Sequence, residues 1–253
     1  MPKIALAGFG MEGHAAYEYL KGTAEMEIFD ERTIPDAPVP AHVGLSIPAE
    51  FTVVYKTPGI PTHKLKLGSS ETKITTLMDD VLARVGTRAV GVTGTKGKST
   101  VASLVQHILK SSGREAVLFG NIGSADMALL DTAPAEAVFV LELSSYQLEH
   151  VIHSPHVAVF TNFYPEHLSH HGSLDAYREA KLNIARFQTE SDVFINGSTL
   201  ATHFKGFVHT PALGPHFKTN LLGGHNQFNC ALAVAAVEAF GMSEEDARVH
   251  IAT

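Results

Sequence analysis

Ten residues near the middle of the chain, Gly91-Val92-Thr93-Gly94-Thr95-Lys96-Gly97-Lys98-Ser99-Thr100, combine the residue types that hold a phosphate chain. Glycines let a backbone turn its N–H groups inward around phosphate oxygens, and a helix that starts at the turn adds its positive end. In such a loop Lys98 reaches the outer phosphates and Ser99 offers its hydroxyl to Mg²⁺. Gly94, Thr95, Lys96, Gly97 and Thr100 complete the candidate ATP-binding set. The strict pattern places a glycine five residues before Gly97, where this chain has Val92. A surface turn is the alternative, and the strand before the loop and the helix after it argue against it.

A second chemical candidate is Glu142, within Leu141-Glu142-Leu143-Ser144-Ser145-Tyr146-Gln147-Leu148. A carboxylate at the end of a buried strand beside a phosphate loop can hold Mg²⁺; the alternative is a partly exposed strand-end acid. Near the N-terminus, Gly8-x-Gly10-x-x-Gly13 follows a strand, and Asp30 ends the next one. That is a dinucleotide fingerprint in form, and alone it favours an NAD-binding domain.

The elements that must carry these residues alternate. Strands are expected at 3–8, 25–30 and 51–56, with a helix from about Gly13 to Lys21, a Pro-rich loop in TIPDAPVPAHVG, and a helix over 74–85. Gly86-Thr87-Arg88 is a plausible boundary between domains at 1–85 and 86–253. Beyond it, strands are expected in AVGVTG, EAVLFG, AVFVLEL, HVAVFTN and SDVFIN. Helices are expected in VASLVQHILKSSG, at 173–188 with Ser173 as N-cap, from Asn226, and near Ser243. Strands alternating with helices predict an α/β protein: a Rossmann-like parallel-sheet domain followed by a phosphate-loop α/β domain.

Bulk properties fit. The chain has 253 residues, 45% hydrophobic and 18% charged, with a formal net charge of −7, which argues against general nucleic-acid binding. One cysteine, Cys230, excludes an internal disulfide and suits a reducing compartment; on its Ala-rich helix it reads as a core residue. The N-terminus has no signal-peptide pattern and no apolar run is long enough for a bilayer, so a cytoplasmic protein without membrane contact is the expectation.

The loop variant Thr93-Gly94-Thr95-x-Gly97-Lys98-Ser99-Thr100 resembles the ATP loop of the Mur ligases and folylpolyglutamate synthases. Glu142 to Leu148 resembles, among Mur ligases, the member that adds D-glutamate to UDP-N-acetylmuramoyl-L-alanine. Four further stretches agree in order and spacing. Gly120-Asn121-Ile122-Gly123 is similar to its substrate loop, and Asn162 through His171 to its Asn-x-x-x-Asp-His-Leu-Asp. Tyr177 to Lys181 is similar to its Tyr-x-x-Ala-Lys, and Gly224 to Asn229 to its adenine-holding stretch, with Asn226 and Asn229. In this resemblance the first glycine turn faces UDP, through Gly10, Met11, Asp30, Arg32 and Gly59 of the Thr57-Pro58-Gly59 turn. Asn121, Ser144 and Gln147 complete the UDP-substrate set.

The resemblance implies an ATP-dependent carboxylate–amine ligase working through an acyl phosphate, with UDP-N-acetylmuramoyl-L-alanine, D-glutamate and ATP as substrates. It implies Lys98, Glu142, His167 and Lys181 as catalytic residues, and Ser99, Glu142, His167 and Lys181 around Mg²⁺, Lys181 carrying CO₂ as a carbamate. Without it, Lys181 reads as a solvated helix lysine. Departures are Lys96 for Asn, Glu166 for Asp, Ser169 for a second Asp, and Glu12 in the glycine turn, where an acid would repel pyrophosphate unless it points away. The family also has a third domain beyond this point, so the resemblance implies a form with little or no turnover. A binding module for UDP-sugar or nucleotide without catalysis, and an NAD-dependent oxidoreductase, stay open; oligomeric state is not readable. His150, His153 and His156, with His170 and His171, allow a zinc site in principle, but the spacing fits no metal motif, and surface or core histidines are the expectation for all but His167.

Overall fold

The computed structural model describes residues 1–124, 126–200, 204–212 and 214–252. It is an α/β protein with two wholly parallel main sheets. The first is built from β1 (Lys3–Ala7), β2 (Glu25–Asp30), β3 (Ala41–Val43), β5 (Val53–Lys56) and β7 (Lys73–Thr75), in the order β3-β2-β1-β5-β7. A small pair, β4 (Ser46–Ile47) and β6 (Lys66–Leu67), stands apart from it. Helices α1 (Met11–Leu20) and α2 (Leu77–Val85) complete this half.

The second sheet has six strands: β8 (Ala89–Thr93), β9 (Ala116–Gly120), β10 (Val138–Glu142), β11 (Val157–Phe160), β12 (Val193–Asn196) and β13 (Phe207–His209). Their order is β13-β12-β11-β8-β10-β9. The helices are α3 (Lys98–Ser111), α4 (Leu129–Thr132), α5 (Ser145–Leu148), α6 (Leu168–His171), α7 (Leu174–Arg186), α8 (Gly224–Glu238) and α9 (Glu244–Ile251). Buried on both faces, β8, β10 and β11 read in sequence as unbroken apolar runs rather than alternating ones.

In each sheet the strand order reverses at one point, β1 against β2 and β5, and β8 against β10 and β11. Open parallel sheets bind ligands beyond the carboxyl ends of the strands at such a point, and both glycine turns lie there.

Some local expectations need correction. Residues 74–85 are not all helix: Lys73–Thr75 pairs with β5, and Thr76 turns the chain, its side chain capping α2 through Asp79 N. The β-branched run Ile74-Thr75-Thr76 suits a strand, and Thr76 is a natural N-cap. The Pro-rich loop also contributes an edge strand, β3. Helix α3 starts at Lys98, inside the loop, and α1 at Met11. Ser173 caps α7 as expected, accepting from Ala176 N.

All strands of the first sheet precede the Gly86–Arg88 turn and all of the second follow it. The core does not divide there. One buried cluster runs from Leu6 and Ile28 through Leu77, Val81 and Leu82 of α2 to Phe139, Leu141 and Leu148. Cys230 is fully buried on α8, in the core as expected.

Candidate active site

The phosphate loop leaves the end of β8 between two neighbours. On one side β10 pairs Glu142 with Val92, and on the other β11 pairs Phe160 with Thr93. The next residues, Gly94 to Gly97, are braced from the β11 side. Thr95 N donates to Asn162 O (2.9 Å) and Lys96 N to Asn162 Oδ1 (2.8 Å); Asn162 Nδ2 (2.9 Å) and Thr161 Oγ1 (2.6 Å) both donate to Lys96 O. Sequence does not mark Thr161, and it marks Asn162 only as the opening of the stretch similar to Asn-x-x-x-Asp-His-Leu-Asp, with no role in the loop. Their signal was their place directly after a buried strand, which becomes informative only once β11 is known to adjoin β8.

Two glycines are required. Gly94 has φ +143°, and a Cβ there would stand 2.0 Å from Thr161 Oγ1. Gly97 has φ +82°, and a Cβ there would meet Asn229 Oδ1 at 2.7 Å. Gly97 opens α3 in the left-handed region with no side chain capping the helix start, leaving its first N–H groups for a ligand. The absence of a side chain at Gly97 lets the loop lie close to α8, where Asn229 Nδ2 donates to Asn226 Oδ1 (3.0 Å). Ser99 and Thr100 open on a cleft of about 520 Å³ between α3, Thr219–Leu221 and the end of α9.

Charged groups converge on this loop. Glu142 is 1% exposed. Its Oε1 accepts from Asn121 Nδ2 (2.9 Å), while its Oε2 is buried with no hydrogen-bond partner. Such an orphaned carboxylate oxygen is costly unless a cation completes it. Lys98 Nζ folds back to donate to Thr95 O (3.0 Å), and burial lowers its pKa against the pull of Glu142 and Glu166. Lys181, on α7, is 2% exposed and donates to Gly94 O (2.6 Å), with its ammonium 4.9 Å from the Tyr177 ring centroid. Burial first, then the Lys98 charge, brings its pKa down to about 7. His167 stands in the left-handed region at φ +56°, its ring edge-on to Tyr146 and Tyr177, and burial lowers its pKa.

Two departures from the family pattern are one feature. Lys96 and Glu166 form an ion pair at 2.5 Å, and the Lys96 hydrogen bond holds the Glu166 carboxyl below its ordinary range. A cation replacing Asn and a longer acid replacing Asp neutralise each other at the mouth of the loop.

The expected UDP residues divide into two groups. Gly10, Met11, Asp30, Arg32 and Gly59 line one cleft of about 480 Å³ beyond β1 and β2. Asp30 organises it, accepting from Phe9 N (2.8 Å) and Arg32 N (3.0 Å). A Cβ on Gly13 would meet Gly8 O at 2.4 Å, so glycine there allows α1 to approach the turn. Asn121, Ser144 and Gln147 belong to the second sheet instead. Ser144 and Gln147 form a reciprocal cap at the start of α5, and Gln147 Nε2 donates to Glu12 Oε1 (2.6 Å). Glu12 therefore turns toward α5, and burial raises its pKa, both of which reduce its conflict with an anion in the glycine turn.

The three histidines spaced by three residues go to separate partners. His150 Nε2 meets Thr62 Oγ1 (2.8 Å), His153 Nδ1 Asp79 Oδ1 (3.0 Å), and His156 Nδ1 Asp192 Oδ1 (2.9 Å). They do not converge on one another.

Comparison with known proteins adds sequence relationships to this geometry. The model of the family "Mur ligase middle domain" matches residues 92–211. A UDP-N-acetylmuramoylalanine–D-glutamate ligase of Symbiobacterium thermophilum is 33% identical over 75% of this chain and 46% of its own length. A UDP-N-acetylmuramoyl-L-alanine–L-glutamate ligase of Salinispora tropica is 32% identical over 95% of this chain and 62% of its own length. This chain thus spans roughly half to three-fifths of the curated relatives it matches. In fold it is similar to a UDP-N-acetylmuramate:L-alanyl-gamma-D-glutamyl-meso-diaminopimelate ligase of Neisseria meningitides, with a TM-score of 0.60 at 17% identity, covering 100% of this chain and 98% of that one.

Proposed function

This chain belongs to the Mur ligase family, and from that membership we propose that it serves an ATP-dependent ligase of peptidoglycan precursor synthesis, joining D-glutamate to UDP-N-acetylmuramoyl-L-alanine. Residues 1–85 take the UDP substrate and residues 86–253 take ATP. The observation that carries the reading is the meeting of Lys98, Lys181 and the unpaired Glu142 carboxylate at one phosphate loop.

Amide formation from a free carboxylate is uphill in water. The substrate carboxylate attacks the γ-phosphorus of ATP, ADP leaves, and the acyl phosphate formed is attacked by the glutamate amine, releasing phosphate. Little covalent chemistry falls to the protein, so its task is positioning and charge stabilisation. Loop N–H groups and Lys98 hold the transferred phosphoryl group. The orphaned Glu142 oxygen fits a cation; Ser99, Glu142, His167 and a carbamylated Lys181 would hold Mg²⁺, which supplies positive charge at the phosphate oxygens. Asn121 fixes the Glu142 carboxylate, and Gly94 O fixes the Lys181 side chain. A cytoplasmic setting suits these substrates, and among the described residues no helix is long and apolar enough to cross a membrane.

A second reading concerns the added amino acid. The L-glutamate ligase aligns over 95% of this chain and the D-glutamate ligase over 75%, which favours L-glutamate as the alternative. Chiral analysis of the glutamate incorporated by the ligase separates the two.

Calorimetric titration tests the substrate class. UDP-N-acetylmuramoyl-L-alanine is expected to bind, and substitution of Asp30 by alanine is expected to weaken it because the glycine turn loses its anchor. NAD is expected not to bind. Binding of NAD without the UDP compound would replace this reading by an oxidoreductase.

A further inference from the structure

We infer that Glu149, His170 and His171 form a binding site for a divalent transition-metal ion of the zinc class, at the seam between the two sheets and separate from the phosphate loop. His170 Nε2 and His171 Nδ1 each lie 3.1 Å from Glu149 Oε1, and the ligand atoms of the three residues fall within 4.8 Å of one another. Around a tetrahedral ion with bonds of about 2.0–2.1 Å, neighbouring ligand atoms stand about 3.3 Å apart. Two of the three separations come close to that value, and the third, between His170 Nε2 and His171 Nδ1, lies within 4.8 Å and closes toward it when an ion is seated.

The site is largely buried and built. The side chains are 12%, 10% and 2% exposed for Glu149, His170 and His171. His170 Nε2 is buried without a hydrogen-bond partner, since its approach to Glu149 lacks hydrogen-bond geometry. Burial also lowers the pKa of His170, which favours the neutral ring that a metal needs. Each ligand is held from behind, as outer-shell partners hold metal ligands. Ser145 Oγ sits 2.9 Å from His171 Nε2; with an ion bound it accepts the ring proton there, so the Nδ1 that hydrogen-bonds Glu149 in the metal-free chain gives its lone pair to the ion. The Tyr146 ring packs on His170 at 4.0 Å and on His171 at 5.3 Å. Glu149 Oε2 is taken by Lys56 Nζ (2.8 Å) and Thr62 Oγ1 (3.0 Å), leaving Oε1 for the ion.

Two imidazoles and one carboxylate select zinc, cobalt or nickel over magnesium, which prefers oxygen ligands. The adjoining cavity of about 630 Å³, bounded also by Thr62, His63 and His150, has room for a water as fourth ligand. The Lys56 ammonium opposes a dication, so the affinity falls below that of a closed structural zinc site.

The test is titration of the chelator-stripped chain with Co²⁺, read by visible absorption, and with Zn²⁺, read by calorimetry. One ion per chain is expected, with the intense absorption of tetrahedral cobalt. His170→Ala and Glu149→Gln are each expected to weaken binding at least tenfold, and His167→Ala to leave it unchanged. Circular dichroism of each variant separates loss of ligand from loss of fold, and His170→Ala carries the decision if Glu149→Gln unfolds. No binding by the folded native chain, or binding weakened by His167→Ala but not by His170→Ala, would overturn the inference. The first outcome leaves the ligase reading untouched, since its titrations use other ligands, and the second would place the ion at the Mg²⁺ site of that reading.

Discussion

In ¹³C-bicarbonate buffer the native chain is expected to show one protein carbamate carbon resonance, and Lys181→Arg is expected to show none. CO₂ adds only to a neutral amine. An ordinary lysine, with pKa 10.5, is neutral in about one molecule in three thousand at pH 7, whereas Lys181, brought down to about 7, is neutral in about half. Burial is the main cause and the Lys98 charge the second. Arginine keeps the positive charge but cannot deprotonate, so it separates a need for a cation from a need for a carbamate. The resonance is expected to grow as pH rises through about 7. Stability should follow the same group. Between about 7 and 10.5 the unfolded chain binds the proton that the folded lysine has lost, so this group makes unfolding harder as pH rises across that window. A native chain with no such resonance would reduce Lys181 to a cation bound to Gly94 O.

The second large effect is on stability. Lys56→Met and Glu149→Gln are each expected to cost about 3–5 kcal/mol, because each leaves a buried charge without its partner. Lys56 has a fully buried side chain, and Glu149 is its ion-pair partner at 2.8 Å, across the seam between the two sheets. The double variant is expected to lose less than the sum of the two. Burial pushes the Glu149 carboxyl up, but the His171 hydrogen bond, Lys56 and His170 outweigh it and hold it at about 2. Its folded pKa is depressed, so its contribution is present above the ordinary value of 4.5 and is lost as pH falls from there toward about 2. Denaturant unfolding at pH 7 and pH 3 reads both effects: the native chain should lose stability between them, and Glu149→Gln should lose less. Equal acid sensitivity in the two proteins would remove Glu149 from the account.

The parts legible in sequence share a cause: a local backbone demand written in local residues. Gly94 and Gly97 announce positive φ, Ser173 announces a helix start, and the apolar runs of β8, β10 and β11 announce buried parallel strands. The turn around Thr76 is not legible in sequence because the β-branched stretch Ile74-Thr75-Thr76 is too short to show a period of its own until its strand partner is known. What could not be read depends on distant pairs. Lys56 and Glu149 are 93 positions apart (149 − 56), and each alone looks like a solvated charge. The Lys96–Glu166 pair made two departures from a family pattern look independent when they meet in space. His170 and His171 read in sequence as surface or core histidines because nothing near them in sequence reveals the carboxylate they face.

The measurement that tests the central claim most directly is calorimetric titration of the chain with a non-hydrolysable ATP analogue and Mg²⁺, for the native protein and Lys98→Ala. Native binding is expected, weakened at least tenfold in Lys98→Ala, with little change in the affinity for UDP-N-acetylmuramoyl-L-alanine, because the cleft proposed for its UDP end, lined by Gly10, Asp30 and Arg32, does not include Lys98. Equal affinity for the analogue in the two proteins would contradict the assignment of residues 94–100 as the phosphate loop.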